Sequence, residues 1–178
     1  MLIVLSGPIA SGKSTLARAL ALELGLRGRS AAAVDLDLLY EMLAHEGARK
    51  DDEQTWQRAR RAAATLANAL LEDGVDVVIV EGDFLTASKR HGFVERLGAT
   101  VAPRFVTLQV SFDEAVARVE SDPTRTFSRD LGFLRRHYED AGSALRPDLV
   151  LDTESASAEE AARTVAAWAL AEEGENQP

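Results

Sequence analysis

The sequence predicts an α/β domain in which a parallel sheet carries helices on both faces. Two observations carry this. Five short runs of apolar residues lack the apolar–polar alternation of a half-solvated strand, as strands covered on both faces do. Segments with helical patterning separate these runs along the chain. The first run, Leu2–Leu5, stops at Ser6-Gly7-Pro8, and a helix over Lys13–Leu26 follows with Gly25 as its expected cap. Ser30–Val34 ends at Asp35, and Leu36–Ala44 reads as the second helix. A long helix over Thr55–Asp73, with Gly74 just past it, leads into Val75–Val80, which stops at Glu81-Gly82-Asp83. Thr86–Leu97 with Gly98 behind it forms the fourth helix. Arg104–Val110 ends at Ser111, and helices over Phe112–Ser121 and Asp130–Ala141 precede the last strand, Asp148–Leu151. Ser157 opens the final helix, Ala158–Glu172, and residues 174–178 read as a frayed tail. With no repeat and no long linker, residues 1–178 form one expected domain.

Composition narrows the function. At 178 residues, 46% hydrophobic and 28% charged, the chain has the profile of an ordinary globular protein, which excludes collagen-like and wholly disordered readings. It has no cysteine, which excludes disulfides, thiolate metal sites and a cysteine nucleophile. The net charge of −9 argues against a nucleic-acid partner. Residues 148–178, however, hold eight acidic residues and one basic, which leaves 19 basic against 21 acidic in the rest and makes the exclusion weaker for the body of the domain. No segment approaches the roughly 18–20 apolar residues of a membrane span, and no basic residue precedes Leu2–Leu5 as in a signal peptide, so a cytoplasmic location is expected.

The strongest motif is Gly7-Pro8-Ile9-Ala10-Ser11-Gly12-Lys13-Ser14, which fits the phosphate-binding pattern G-x-x-x-x-G-K-[ST]. A strand run precedes it and a helical pattern follows, so Gly7 and Gly12 allow a tight curve whose N–H groups meet phosphate oxygens at a helix N-terminus. Only three lysines occur in the chain, and one of them stands at the required position. Gly7, Ala10, Ser11, Gly12, Lys13, Ser14 and Thr15 are the candidate nucleotide contacts, with Lys13 on the β- and γ-phosphates and Ser14 on Mg²⁺.

Ligands of open α/β sheets lie beyond the carboxyl ends of the strands. Asp35 and Asp37 follow the second run, where an extended segment would point both to one side, and Glu81 and Asp83 follow the third. One of Asp35 and Asp37 is either a helix cap or a chemical group, and Glu81 is either a solvated carboxylate or a ligand of the metal's waters. Asp35, Glu81 and Ser14 are the metal candidates, and Asp83 is placed to touch substrate. Between the fourth and fifth runs, a turn-rich segment around 122–137 holds Arg125 and Arg129 and reads as a lid whose guanidinium groups face the transferred phosphoryl group. Arg58, Arg60 and Arg61, near Trp56, read as the wet face of the third helix. Phe84, Phe93 and Phe127 are candidates to line a partly apolar acceptor pocket.

The loop, the Asp-x-Asp after the second run and the arginine segment together resemble the small P-loop kinases. That group includes shikimate, gluconate and adenylylsulfate kinases and chloramphenicol phosphotransferase. The resemblance spans Leu2 to about Thr153, and Val34-Asp35-Leu36-Asp37-Leu38-Leu39 bring it nearest to the chloramphenicol phosphotransferase-like kinases. It implies a three-layer P-loop fold with a five-stranded parallel sheet in the order 2-3-1-4-5. It also implies an acceptor-binding helical segment at about 38–62. Asp37 would bind the acceptor hydroxyl and act as general base, Arg118 would lie against adenine, and Arg125 and Arg129 would be lid arginines. Glu81-Gly82-Asp83-Phe84 replaces the Gly-rich turn of shikimate kinases, which argues against shikimate. The expectation is therefore an ATP- and Mg²⁺-dependent enzyme that phosphorylates a hydroxyl of a small molecule, with Lys13, Asp37, Arg125 and Arg129 as catalytic residues. The alternatives are a nucleotide-binding regulator or NTPase without such an acceptor, and a kinase of nucleosides or nucleic-acid ends. A guanine-reading Asn-Lys-x-Asp is absent from the sequence, which disfavours a GTPase-like switch.

Overall fold

The computed structural model describes residues 1–44, 52–122, 130–141 and 145–175. Five strands, β1 (Leu2–Ser6), β2 (Ala31–Asp35), β3 (Val77–Gly82), β4 (Pro103–Gln109) and β5 (Leu149–Asp152), form one parallel sheet in the order β2-β3-β1-β4-β5. The helices are α1 (Lys13–Leu26), α2 (Leu36–Leu43), α3 (Glu53–Glu72), α4 (Ala87–Val94), α5 (Phe112–Ser121), α6 (Leu131–Ala141) and α7 (Ala158–Glu175). Fold class and strand order agree with the sequence expectation, and every predicted element is present.

The central strand β1 is buried along its whole length, and so is β3 beside it. Alternate residues feed two cores. Ile3, Leu5, Ile79, Val106 and Leu108 pack against Leu16, Leu20 and Leu24 of α1 and Val165 and Ala166 of α7. Leu2, Val4, Val78 and Val80 pack against Ala59, Ala63 and Ala67 of α3, with Phe84 and Phe93. Alanine at those α3 positions lets the helix lie close to the sheet. The ring of Tyr40 on α2 stacks on Trp56 of α3 at 4.0 Å and joins the two helices. No helix among the described residues is long and apolar enough to cross a membrane.

Two predicted caps move. Gly25 lies inside α1, which ends at Leu26 as expected; the capping glycine is Gly28, which adopts φ 76° while Arg29 N–H reaches back to Leu24 O at 3.0 Å. Gly98 takes no left-handed conformation, because α4 stops at Val94 and the chain runs on in short turns. Gly74 is a cap as expected, with φ 88° and Val75 N–H bonded to Leu70 O at 3.0 Å.

Candidate functional site

The loop between β1 and α1 is shaped for an anion. A Cβ on Gly7 would lie 2.6 Å from Ser11 Oγ and 2.8 Å from the backbone oxygen of Leu108, so the loop closes only around glycine. Gly12, at φ 90°, turns the chain into α1. That helix has no side-chain cap and no acidic residue in its first turn, which leaves its leading N–H groups and positive dipole end for a ligand. Lys13 Nζ folds over the loop and donates to Gly7 O and Pro8 O, both at 3.0 Å. Ser14 and Thr15 stand in the first turn of α1, with Thr15 exposed. Ser11 is fully buried, and its carbonyl accepts the Thr153 hydroxyl at 2.9 Å. Ala10 adopts φ 63°, a left-handed conformation that costs about 1–3 kcal/mol outside glycine. Such a residue carries no sequence signal; Arg118, donating to Ala10 O at 3.2 Å, helps to hold it there.

Register then builds the acidic edge. Asp35, the last residue of β2, pairs with Glu81 of β3, so both carboxylates share one side of the sheet on strands about 4.8 Å apart. Glu81 is 5% exposed, and the Ser14 side chain acts on its carboxyl. Burial raises its pKa from 4.5 to about 7. The Asp35 and Asp37 charges add to the rise, while the Ser14 hydroxyl and Lys13 oppose it. Asp35 caps α2, accepting from Asp37 N–H at 2.8 Å and Leu38 N–H at 3.4 Å through one carboxylate oxygen. The expectation that Asp35 and Asp37 share an extended segment is therefore corrected: the cap turns the chain at once, and Asp37 is the second residue of α2, exposed at the site's edge. Lys13, Ser14, Asp35 and Asp37 thus all act on Glu81.

Magnesium fits this donor set. It favours oxygen ligands and takes one or two carboxylates together with phosphate and water, which Ser14, Glu81 and the free side of Asp35 match. Among the described residues no cluster of three or more His or acidic side chains offers a complete metal cage, and none is required for such a site.

The segment after β3 is held by two arginines that sequence reasoning missed. Arg60, expected on a wet helix face, is 2% exposed; its Nε donates to Asp83 O at 3.3 Å and its Nη1 pairs with Glu53 at 2.8 Å. Arg90 is also buried, donates to Phe84 O at 2.8 Å and stacks 3.9 Å above the Phe105 ring. Ser6 Oγ accepts Phe84 N–H at 3.1 Å, so three elements fix this turn. Asp83 forms an ion pair with Lys89. Burial pushes its carboxyl upward, but the Lys89 charge and hydrogen bond, with His137 and the Leu85 N–H, together hold it below the ordinary value. Phe84 and Phe93 do not line a pocket: both are fully buried and meet at 4.9 Å in the core. A helical arginine's exposure depends on what covers it, which local pattern does not reveal.

On the other side of the loop, Arg118 of α5 pairs with Glu114 and donates to Thr153 O at 2.6 Å, tying the loop to the end of β5. Tyr138 of α6 donates to Ile9 O at 3.0 Å, and burial pushes its phenol up to about 12. Arg125, Arg129 and Phe127 lie outside the described residues, as does part of the expected 38–62 acceptor segment and of the 122–137 lid.

Residues 2–128 match the AAA domain family. The chain belongs to this family. Solved structures similar to it include a sugar kinase from Janibacter sp., at TM-score 0.71 and 24% identity over 94% of this chain and 92% of that one. An APS kinase from Mycobacterium tuberculosis, in complex with AMPPNP and APS, is similar at TM-score 0.68 and 21% identity over 93% and 94%. A gluconokinase from Sinorhizobium meliloti is similar at TM-score 0.63 and 20% identity over 98% and 97%. No curated protein matches the sequence. At these identities the likeness carries the fold, which is that of the small P-loop kinases.

Proposed function

We propose that the protein is a phosphotransferase that uses ATP and Mg²⁺ to phosphorylate a hydroxyl of a small-molecule acceptor. The observation that carries this reading is that Ser14, Lys13, Asp35 and Asp37 all act on the buried Glu81 carboxyl, with Asp35 its register partner. Bound ATP supplies the γ-phosphoryl group, and Mg²⁺ offsets its charge. Lys13 and the N–H groups of the loop, among them those of Gly12 and Ser14, hold the phosphates; Ser14 and Glu81, with Asp35, hold the metal. Asp37, exposed next to this set, orients the acceptor hydroxyl and takes its proton. Arg118 flanks the adenine side, and Arg125 and Arg129 are assigned to charge on the transferring group. The resemblance to small-molecule kinases supports this reading over a nucleotide-binding regulator.

The test has two arms. Lys13→Ala should abolish ATP-dependent thermal stabilisation. Asp37→Asn should keep ATP binding and lose transfer, read as ATP-dependent mass gain across a library of metabolites and antibiotics. Full transfer in Asp37→Asn would remove the role given to that residue. GTP hydrolysis without any acceptor would favour the regulator.

A further inference from the structure

A recess of about 420 Å³ lies beside the phosphate loop, over the ends of β4 and β5 and against α6, and its lining includes Pro8, Leu85, Thr107, Tyr138, Asp152 and Glu154. The strand order places it across β1 from the acidic edge. With neighbouring strands about 4.8 Å apart, Thr107 on β4 is three spacings, roughly 14 Å, from Asp35 on β2. The helices α2, α3 and α4 crowd the other end of this sheet face, and Val150, the register partner of Thr107 on β5, is 46% exposed.

Three features give the recess a chemistry. Thr107 is 6% exposed, yet its hydroxyl finds no protein partner, which is a costly state for a buried polar group and leaves a hydrogen bond to be made there. Asp152 and Glu154 supply negative charge, steadied by hydrogen bonds from Glu154 N–H and Ser155 Oγ to Asp152 and from Ser111 N–H to Glu154. Among the described residues no Lys, Arg or His lines the recess. Arg118 acts on Asp152 from outside the lining, with its guanidinium committed to Glu114, Ala10 O and Thr153. Pro8, Leu85 and the Tyr138 ring form the apolar wall. An anion is repelled here, which separates the recess from a triphosphate site, whereas an organic cation is attracted.

We propose that this recess binds a small organic amine: an aromatic or alicyclic body on the apolar wall, an ammonium toward Asp152 and Glu154, and a hydroxyl on Thr107. Its occupancy bears on the phosphate loop, because Tyr138 donates to Ile9 O and the Pro8 carbonyl receives Lys13 Nζ.

The test titrates the full chain with three matched probes, tyramine, phenethylamine and 4-hydroxyphenylacetate, read by amide chemical shifts. Both amines should shift signals of residues 107–111 and 152–154, and the carboxylate probe should not bind. Thr107→Val, which keeps shape and strand preference, should weaken tyramine about threefold to tenfold and leave phenethylamine unchanged. Glu154→Gln, which keeps an acceptor for Ser111 N–H, should weaken both amines. The proposal is overturned if neither amine binds, if 4-hydroxyphenylacetate binds as well as tyramine, if the shifts fall elsewhere, or if Thr107→Val weakens both amines alike. None of these readouts depends on phosphotransfer.

Discussion

Glu81 offers the sharpest test of the site's electrostatics. In the metal-free protein its carboxyl titrates near 7 instead of 4.5, chiefly because it is buried and then because Asp35 and Asp37 face it. Between those two pH values the unfolded chain has released this proton and the native chain still holds it. The native state therefore loses stability as pH rises through the window, and the full contribution remains only below about 4.5. At about 1.4 kcal/mol per pH unit, the loss reaches roughly 3 kcal/mol above pH 7. For a chain of this size that is about 6–12 °C in melting temperature. Glu81→Gln stays neutral at every pH and keeps an oxygen for the Ser14 hydroxyl. Melting curves of both proteins in EDTA from pH 5 to 8 should diverge, the variant gaining about 3 kcal/mol on wild type by pH 8. The difference removes the contribution of the histidines and of other carboxylates. A gap between the two that does not change with pH would refute the placement of Glu81 as a buried, neutralised acid.

Other outcomes follow from the same geometry. Gly7→Ala places a methyl against the Leu108 carbonyl, which is backbone and cannot swing away, so it should cost about 1–3 kcal/mol in urea unfolding and lower ATP affinity at least tenfold in a titration. Arg60→Met keeps the bulk in the core but strands the Asp83 carbonyl. It should lose about 1–3 kcal/mol, most of it from that acceptor because Glu53 is exposed enough to rehydrate. Thr86→Ala removes the cap that Thr86 places on Lys89 N–H, and should cost about 1 kcal/mol and speed amide exchange in the first turn of α4.

The elements were readable because each is specified locally. Unbroken apolar runs such as Leu2–Leu5 and Val77–Val80 can be satisfied only by burial on both faces, and α1 matches its expected span of Lys13–Leu26 residue for residue. The phosphate loop was readable for the same reason, since glycine spacing and one lysine are local chemistry. The corrections concern partners. The cap of α1 fell to Gly28 in place of Gly25, Gly98 lost its cap because α4 stops at Val94, and Asp37 moved into α2 because Asp35 capped it. Phe84 and Phe93 went to the core, and Arg60 went in with them, carrying its charge to Glu53 and its hydrogen bond to a carbonyl.

By itself, then, the sequence determined an α/β domain, the order of its elements along the chain and a glycine-cornered turn of the phosphate-binding pattern at the end of the first strand. Tertiary structure alone decided that Asp35 and Glu81 stand side by side with Ser14 beneath them, because strand register, and not proximity in sequence, brings residues 46 positions apart within reach. It likewise decided that Thr107 and Glu154 line one recess. A side chain's chemistry is written in its identity, but its charge state and its partners depend on the water that neighbouring elements remove from around it.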